Sequence, residues 1–338
     1  LPEDFLDRHT IKREKLEALI KGFSEVRVCV LGDLILDEYI TCEPLGMSQE
    51  DPTIVVTPVD STKFIGGAGI VAAHASGLGA QVHLISICGA DQAGTFSKQE
   101  LETHGVNCHI IKDESRPTTL KQRYRSKGKS LLKVSHLHQH AISESFQLAF
   151  FNKILTLIDK IDLIVFSDFN YGALPQDLVD KITDLAKRNN IIISADSQSS
   201  SQIGDISRFK GMDLITPTER EARVSERNNE DGLIVLAEKL KLKSLANNLF
   251  LKLGEEGVII YPNKKKNLIT DRLPSFNSSP KDTAGAGDSL LITSSLSLAC
   301  GANIWEAAFL GSLSAGIQIS RVGNIPLKAK ELLLELTK

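Results

Sequence analysis

The chain alternates short, unbroken apolar runs with helix-patterned stretches, and no other feature limits its fold so strongly. Residues 26–31, 82–87, 106–111, 162–166, 191–195, 213–216, 249–253 and 258–261 read as strands. Runs with so little polar alternation suit strands covered on both faces, the situation of a parallel sheet. Between them, 67–78, 93–104, 146–158, 178–186 and 233–240 carry the helical period. Repeated strand–helix units predict an α/β fold, with a central mostly parallel sheet and helices on both faces. Two segments break the rhythm, about 38–60 and 117–136. In the first, residues 53–59 alternate between Pro52 and Pro58, which suits an edge strand. In the second, 118–125 and 130–136 read as a hairpin around Lys127-Gly128-Lys129. Together they are expected to form a small β-sheet lid. Residues 10–22 form a helix with Ile11, Leu16, Leu19 and Ile20 on one face. The expected organisation is a helical extension over 1–25 and one domain over 26–338. Two small-residue helices, about 286–300 and 304–319, and a short terminal one fill the last third. Before them, 263–281 reads as a polar loop with one short strand.

Composition narrows the function. With 39 Lys and Arg against 42 Asp and Glu, the formal charge is −3. So balanced a chain is not built for a nucleic-acid or membrane-surface partner. No window reaches the roughly 18–20 apolar residues of a spanning helix. The acidic, amphipathic start is unlike a signal peptide. Cys29, Cys42, Cys88, Cys108 and Cys300 are odd in number and include no C-x-x-C pair. That argues against a disulfide framework and for a reducing, cytoplasmic setting. His136, His138 and His140 alternate on a polar stretch and read as surface residues, without metal-ligand spacing. Gly77-Leu78-Gly79 follows a helix instead of opening one after the first strand, so a dinucleotide fingerprint fails its context. The chain opens on Leu1, as a trimmed chain or a piece of a longer one would.

The stretch that carries chemistry is Asp282-Thr283-Ala284-Gly285-Ala286-Gly287-Asp288. Small residues here feed directly into an apolar helix. Such a loop presents backbone N–H groups and the positive end of the helix dipole, which makes an anion site. Asp288, on the first turn, is placed to accept a proton from an attacking hydroxyl. A tight turn with an ordinary capping aspartate is the plainer account of the same residues.

Other blocks match as well, and through them the sequence resembles the ribokinase-like carbohydrate kinases, the phosphofructokinase-B family. The resemblance runs from about residue 26 over nearly the whole chain. Asp282 to Asp288 is similar to the family's C-terminal signature. Gly66-Gly67-Ala68-Gly69 through Gly79, then Gly89-Ala90-Asp91 and Gly94, are similar to its N-terminal one. Within the family the chain resembles the heptose-7-phosphate kinases. Gly32-Asp33-Leu34-Ile35-Leu36-Asp37-Glu38-Tyr39, Ser48 to Val56, and Ser167-Asp168-Phe169 with Gly172-Ala173-Leu174 carry that likeness. Thr216-Pro217 followed by Glu221 sits where those kinases bind nucleotide and magnesium.

The resemblance implies ATP-dependent phosphorylation of a sugar or sugar-phosphate hydroxyl. Asp288 would be the base, with the N–H groups of Ala284, Gly285, Ala286 and Gly287 as the anion hole. Asp33 would bind sugar hydroxyls, with Asp37 and Asp168 also facing substrate and the Gly66-Gly67 backbone closing over it. Lys121, Arg123 and Arg125 share one face of a lid strand. An acceptor phosphate is one reason for such a face and a charge-blunted edge strand the other; Arg123 is assigned to the first and Arg125 to the second. Asp196, Thr218, Glu221, Lys252, Gly254, Gly257, Thr283, Gly285 and Ser312 would bind nucleotide, and Glu221 would hold Mg²⁺ through water. A monovalent cation is left open, and a homodimer through the lid is expected.

Departures from the family pattern concentrate on the acceptor. Ile70 replaces an asparagine of the first signature. Gly46 replaces an arginine of the heptose kinases, Tyr171 a lysine, Ser197-Gln198 a proline-lysine, and Thr218 an asparagine. These losses predict intact phosphoryl-transfer machinery with an altered acceptor pocket. The nucleotidyltransferase domain often joined to such kinases is not within these 338 residues. The competing readings are a nucleoside kinase, disfavoured by only 5% aromatic residues, and a non-catalytic binder on the same fold.

Overall fold

A computed structural model describes residues 1–199, 203–263, 270–277 and 279–337. Part of the loop read at 263–281 lies outside them. The chain opens with helices α1 (Glu3–Arg8) and α2 (Arg13–Gly22), then strand β1 (Arg27–Gly32) and the long pair β2 (Leu34–Met47) and β3 (Ile54–Gly67). Next come α3 (Ala68–Gly77), β4 (Gln81–Cys88), α4 (Gln92–Thr103) and β5 (Asn107–Lys112). The pair β6 (Thr119–Ser126) and β7 (Lys129–His136) leads to α5 (Glu144–Leu157), β8 (Leu163–Asp168), α6 (Gln176–Arg188) and β9 (Ile192–Ser197). Then follow β10 (Leu214–Ile215), α7 (Glu219–Glu226), α8 (Leu233–Ser244) and β11 (Asn248–Lys252). The order ends with β12 (Val258–Tyr261), β13 (Asp271–Leu273), α9 (Ala286–Ala299), α10 (Ile304–Ile319) and α11 (Ala329–Leu336).

Among the described residues, nine strands form one sheet in the order β13-β12-β11-β10-β9-β8-β1-β4-β5. It is parallel from β11 to β5 and antiparallel only at β12 and β13. The apolar runs explain this directly. On β1, Val28 and Val30 join one core while Cys29 and Leu31 join the other. On β8, Leu163 and Val165 face the first core, and Ile164 and Phe166 the second. Helices α2, α3, α9, α10 and α11 cover the first face, and α5, α6, α7 and α8 the second. Each such large apolar side chain contributes about 1.5–3 kcal/mol on burial. The helical segment 1–25 is part of this packing, since Phe5, Leu6, Leu16, Ile20 and Phe23 lie in the first core.

The remaining four strands form the lid, in the order β3-β2-β6-β7. Two expectations change here. First, β3 does not stop near residue 60 but continues to Gly67. Second, β6 is an inner strand, parallel to β2 and antiparallel to β7. A charge-blunted edge therefore does not explain Arg125.

The sheet order turns at β1. The chain first adds β4 and β5 on one side, then β8 and its successors on the other. In open α/β sheets, ligands bind beyond the carboxyl ends of strands at such a switch point. Here β1 passes straight into the lid. Gly32 allows it, because a Cβ there would lie 1.8 Å from the Ser167 carbonyl oxygen. Gly67 closes the same corner at φ 58°, where a Cβ would lie 2.2 Å from the Asp33 carbonyl oxygen. Among the described residues, no helix is long and apolar enough to cross a membrane.

Candidate active site

The small-residue loop does what its composition predicts. Gly285, at φ 76°, turns the chain so that α9 starts at Ala286. The N–H groups of Gly285, Gly287 and Asp288 donate to no other group among the described residues, while Ala284 gives its N–H to Asp282 Oδ1 at 3.1 Å. Ala286 makes a long 3.4 Å bond to the Thr283 carbonyl. Of the expected 284–287 run, Ala284 and Ala286 thus have partners for their N–H groups, and the N–H groups without one are those of Gly285, Gly287 and Asp288.

Asp288 is 5% exposed, and Gln198 donates from Nε2 to its Oδ1 at 2.8 Å. Burial, then the nearby Asp196 and Asp37 carboxylates, push its pKa up to about 7, against the pull of Lys252 and Gln198. Asp196 is itself buried, and desolvation raises it to about 6 although Lys252 Nζ lies 2.9 Å from its Oδ2. Its Oδ1 has no hydrogen-bond partner. Burial opposes the charge on Lys252, yet Asp196 and Glu221 raise its pKa overall. The ammonium lies under the anion loop, 3.0 Å from where a Gly287 Cβ would be.

A cavity of about 370 Å³ opens beside this cluster. Thr218, Glu221, Lys252, Gly254, Gly257, Thr283 and Ser312, all expected at a nucleotide, line it. Asp196 and Gly285 are not on its wall. Val258, Pro274, Phe276, Leu290, Ala315 and Ile319 supply an apolar side that sequence reasoning missed. Leu290, Ala315 and Ile319 sit on α9 and α10, where only the residues up to Asp288 and Ser312 had been assigned a role, and Pro274 and Phe276 lie in the segment read as a loop with one short strand. Glu221 closes a capping box at α7: its Oε2 accepts the Thr218 N–H at 2.8 Å and its Oε1 the Ser199 N–H at 3.1 Å. Among the described residues, no cluster of three or more Asp, Glu, His or Cys side chains could hold a metal ion. The carboxylates here fit a cation that arrives on phosphates and keeps much of its water.

Across the anion loop lies the lid. Asp37, Lys121 and Arg123 reach the same region, with Asp37 opposite Lys121 in the β2–β6 register. The Lys121 ammonium sits 5.1 Å over both the Phe169 and Tyr171 rings. The Arg123 and Arg125 guanidiniums lie 5.2 and 5.1 Å from the centre of the Tyr39 ring. The Tyr39 hydroxyl donates to Asp282 Oδ2 at 2.8 Å, tying the lid to the anion loop.

Two expected substrate aspartates have other partners. Asp33 is 3% exposed and accepts backbone N–H groups from Phe169, Tyr171 and Ala173. Asp168 is 1% exposed and holds Arg208 at 2.9 Å, the Ser197 hydroxyl at 2.7 Å and the Asn170 N–H at 3.1 Å. Both brace the loop after β8. Asp37 differs: its Oδ1 has no hydrogen bond and stands 3.8 Å from the Arg123 guanidinium.

The departures separate in the same way. Gly46 stands on the exposed far part of β2 with nothing within 4 Å of a Cβ, and Ile70 is fully buried in the first core. Neither alters the pocket wall. Tyr171 supports Lys121, and Gln198 donates to Asp288.

The chain is 30% identical over 318 residues to the bifunctional protein HldE of Desulfatibacillum aliphaticivorans, covering 93% of this chain and 64% of that one. It is 27% identical over 330 residues to the HldE of Geotalea uraniireducens, covering 96% and 66%. It thus spans less than two thirds of each relative. Phosphofructokinase-2 of Escherichia coli, solved with substrates and products, superposes with a TM-score of 0.73 at 16% identity, covering 93% of this chain and all of that one. Ribokinase of Arabidopsis thaliana, solved with ribose and ATP, gives 0.71 at 16% identity, covering 93% and 99%. These structures share the fold. The family model of the pfkB carbohydrate kinases matches residues 26–330. The chain therefore belongs to the pfkB family of carbohydrate kinases, phosphotransferases that act on a hydroxyl acceptor.

Proposed function

We propose that this kinase transfers the γ-phosphoryl group of ATP to a hydroxyl of a sugar that already carries a phosphate. The observation that carries the reading is the position of Asp288, with an apolar-walled cavity on one side and a cationic lid face on the other. In the proposed reaction Asp288 accepts the proton of the attacking hydroxyl. The unpaired N–H groups at the start of α9 and the Lys252 ammonium stabilise charge on the transferring group. Mg²⁺, carried on the nucleotide phosphates, would meet Glu221 and the free Oδ1 of Asp196 through water and neutralise charge there. A charged guanidinium pairs well with phosphate, and Lys121, Arg123 and Arg125 supply three cations on an inner strand. Resemblance to the heptose-7-phosphate kinases makes heptose 7-phosphate the first acceptor to try, and Tyr171 and Gln198 support an acceptor pocket that differs from theirs. Potassium dependence belongs to the same proposal, as does pairing of two lids in a homodimer.

The test is ATP turnover against heptose 7-phosphate, fructose 6-phosphate, fructose and ribose. Turnover of a phosphorylated sugar, at least tenfold above its unphosphorylated counterpart by about 1.4 kcal/mol of discrimination, is the expected result. Turnover confined to unphosphorylated sugars would overturn the acceptor class. No turnover of any, together with ATP binding by calorimetry, would favour a non-catalytic binder.

A further inference from the structure

Among the described residues, the Asp288 carboxylate accepts one hydrogen bond, and its donor is neutral. Gln198 donates from Nε2 to Oδ1 at 2.8 Å, and Oδ2 accepts from none of them. The charges around this carboxylate come from other side chains. Asp196 on β9 and Asp37 on β2 face it with like charge, and Lys252 on β11 with opposite charge. Lys252 is also held by Asp196, whose Oδ2 lies 2.9 Å from its ammonium. Gln198 thus brings a donor to Asp288 without bringing a charge.

The amide is aimed from its own backbone. The Gln198 N–H donates to the Asp168 carbonyl at 2.8 Å, and the Gln198 carbonyl accepts Asn170 Nδ2 at 3.2 Å. Its two neighbours are fixed as well. The Ser197 hydroxyl donates to Asp168 Oδ2 at 2.7 Å, and the Ser199 N–H to Glu221 Oε1 at 3.1 Å. Three successive residues at the end of β9 therefore reach the loop after β8, the carboxylate on α9 and the capping glutamate of α7. Gln198 also lines the 370 Å³ cavity, so its amide stands where that cavity meets Asp288. An ionised carboxylate has two equivalent oxygens. A fixed donor on one of them decides which is left to take a proton.

We propose that Gln198 is a positioning residue for the base: its amide holds Oδ1 of Asp288 and leaves Oδ2 as the oxygen that takes the acceptor proton. The inference rests on the kinase reading, with Asp288 as the base. In the step it serves, the acceptor O–H bond breaks and its proton passes to Oδ2. The freed oxygen bonds to the γ-phosphorus, and the bond from that phosphorus to the β–γ bridging oxygen breaks, leaving ADP. A neutral donor suits this use. It favours the ionised carboxylate modestly, whereas a cation in the same place would favour it far more and make a weaker base. Position 198 carries glutamine where the heptose kinases carry lysine, so the neutral donor is this chain's own.

The experiment is steady-state kinetics across the neutral pH range for Gln198→Leu and Gln198→Lys. The acceptor is whichever of heptose 7-phosphate, fructose 6-phosphate and ribose the wild type turns over fastest. Gln198→Leu keeps the bulk and loses the donor. Its kcat should fall by about tenfold or more, the size of one lost hydrogen bond to a charged group, with the KM for ATP and for acceptor within about twofold. Its rate limb should move up in pH. Gln198→Lys returns a donor with a charge, so its limb should move down by about one unit or more. A segment that was merely loosened would not displace the limb in opposite directions. Limbs that stay at the wild-type pH in both variants overturn the proposal. So does a higher KM for ATP with kcat unchanged, which would leave Gln198 as cavity wall only. Melting curves of Gln198→Leu, Asp288→Asn and the double variant need no turnover, and the two substitutions should be non-additive. Additive shifts would mean that the bond is not made and would end the proposal whatever the kinetics. Non-additive shifts in a protein that turns over none of these sugars would sink the kinase reading and, with it, the role of the bond. Turnover with unmoved limbs would sink the role of Gln198 alone.

Discussion

At the scale of the residue, a base that works near neutrality must hold its proton weakly enough to be ionised and tightly enough to take one up. Asp288 meets this through burial and carboxylate neighbours, which raise it from 3.8 to about 7. The sign of the consequence is definite. The folded protein binds this proton more tightly than the unfolded chain, so the stability it contributes is full below about pH 4 and is lost as pH rises through 7. Turnover should climb with pH along a limb near 7. Asp288→Asn should abolish that turnover and yet raise the melting temperature at pH 8, by an amount on the order of a few degrees. The gain should shrink as pH falls toward 4. Melting curves of both proteins across that range check it, and a variant less stable at pH 8 than at pH 4 relative to wild type would contradict it. The turn that places Asp288 on the first turn of α9 was legible in the sequence because loop and helix start are contiguous. The difference in hydrogen bonding between Asp33 and Asp37 was not. It depends on residues 169–173, a loop far along the chain that folds back to cage Asp33.

At the scale of the element, alternation on β6 was readable and its place in the lid was not. Sequence period gives the face shared by Lys121, Arg123 and Arg125, but strand order depends on pairing with β2 across a long separation. The same holds for β3. Its prolines pointed to an edge strand, and Pro58 does sit on the outer strand β3 beside a register shift at Thr41 and Cys42, but the strand's continuation to Gly67 was not readable. An inner strand with three cations on one face has more to do than repel other edges. Arg123→Ala should therefore raise the KM for a phosphorylated sugar by about tenfold or more, as loss of a charge-assisted bond of roughly 1.5–3 kcal/mol would. It should leave the KM for the matching unphosphorylated sugar nearly unchanged. Equal effects on both would mean that Arg123 serves only to pack against Tyr39.

At the scale of the whole molecule, the apolar strand runs specified a parallel sheet with two covered faces, and the switch point then located the site at the carboxyl ends of β1, β8 and β9. The direction of β12 and β13 was beyond such reading, because short apolar strands look alike in either orientation. What the fold leaves uncovered is the lid. Leu45, Met47, Ile54, Val55, Val59, Leu131 and Leu132 remain exposed on β2, β3 and β7, with Met47 and Ile54 paired across the sheet at 61% exposure each. The proposed pairing of two lids would cover these open edges and this exposed apolar surface. The occupant that fits without any further partner is a second copy, because a twofold axis matches each patch to itself. The kinase should then sediment as a dimer at micromolar concentration. The double variant Met47→Glu, Ile54→Glu should sediment as a monomer with an unchanged melting temperature for the central domain. Wild-type protein that stays monomeric at that concentration would remove the paired-lid arrangement, and a monomeric double variant with full acceptor affinity would show that each lid closes its own site unaided.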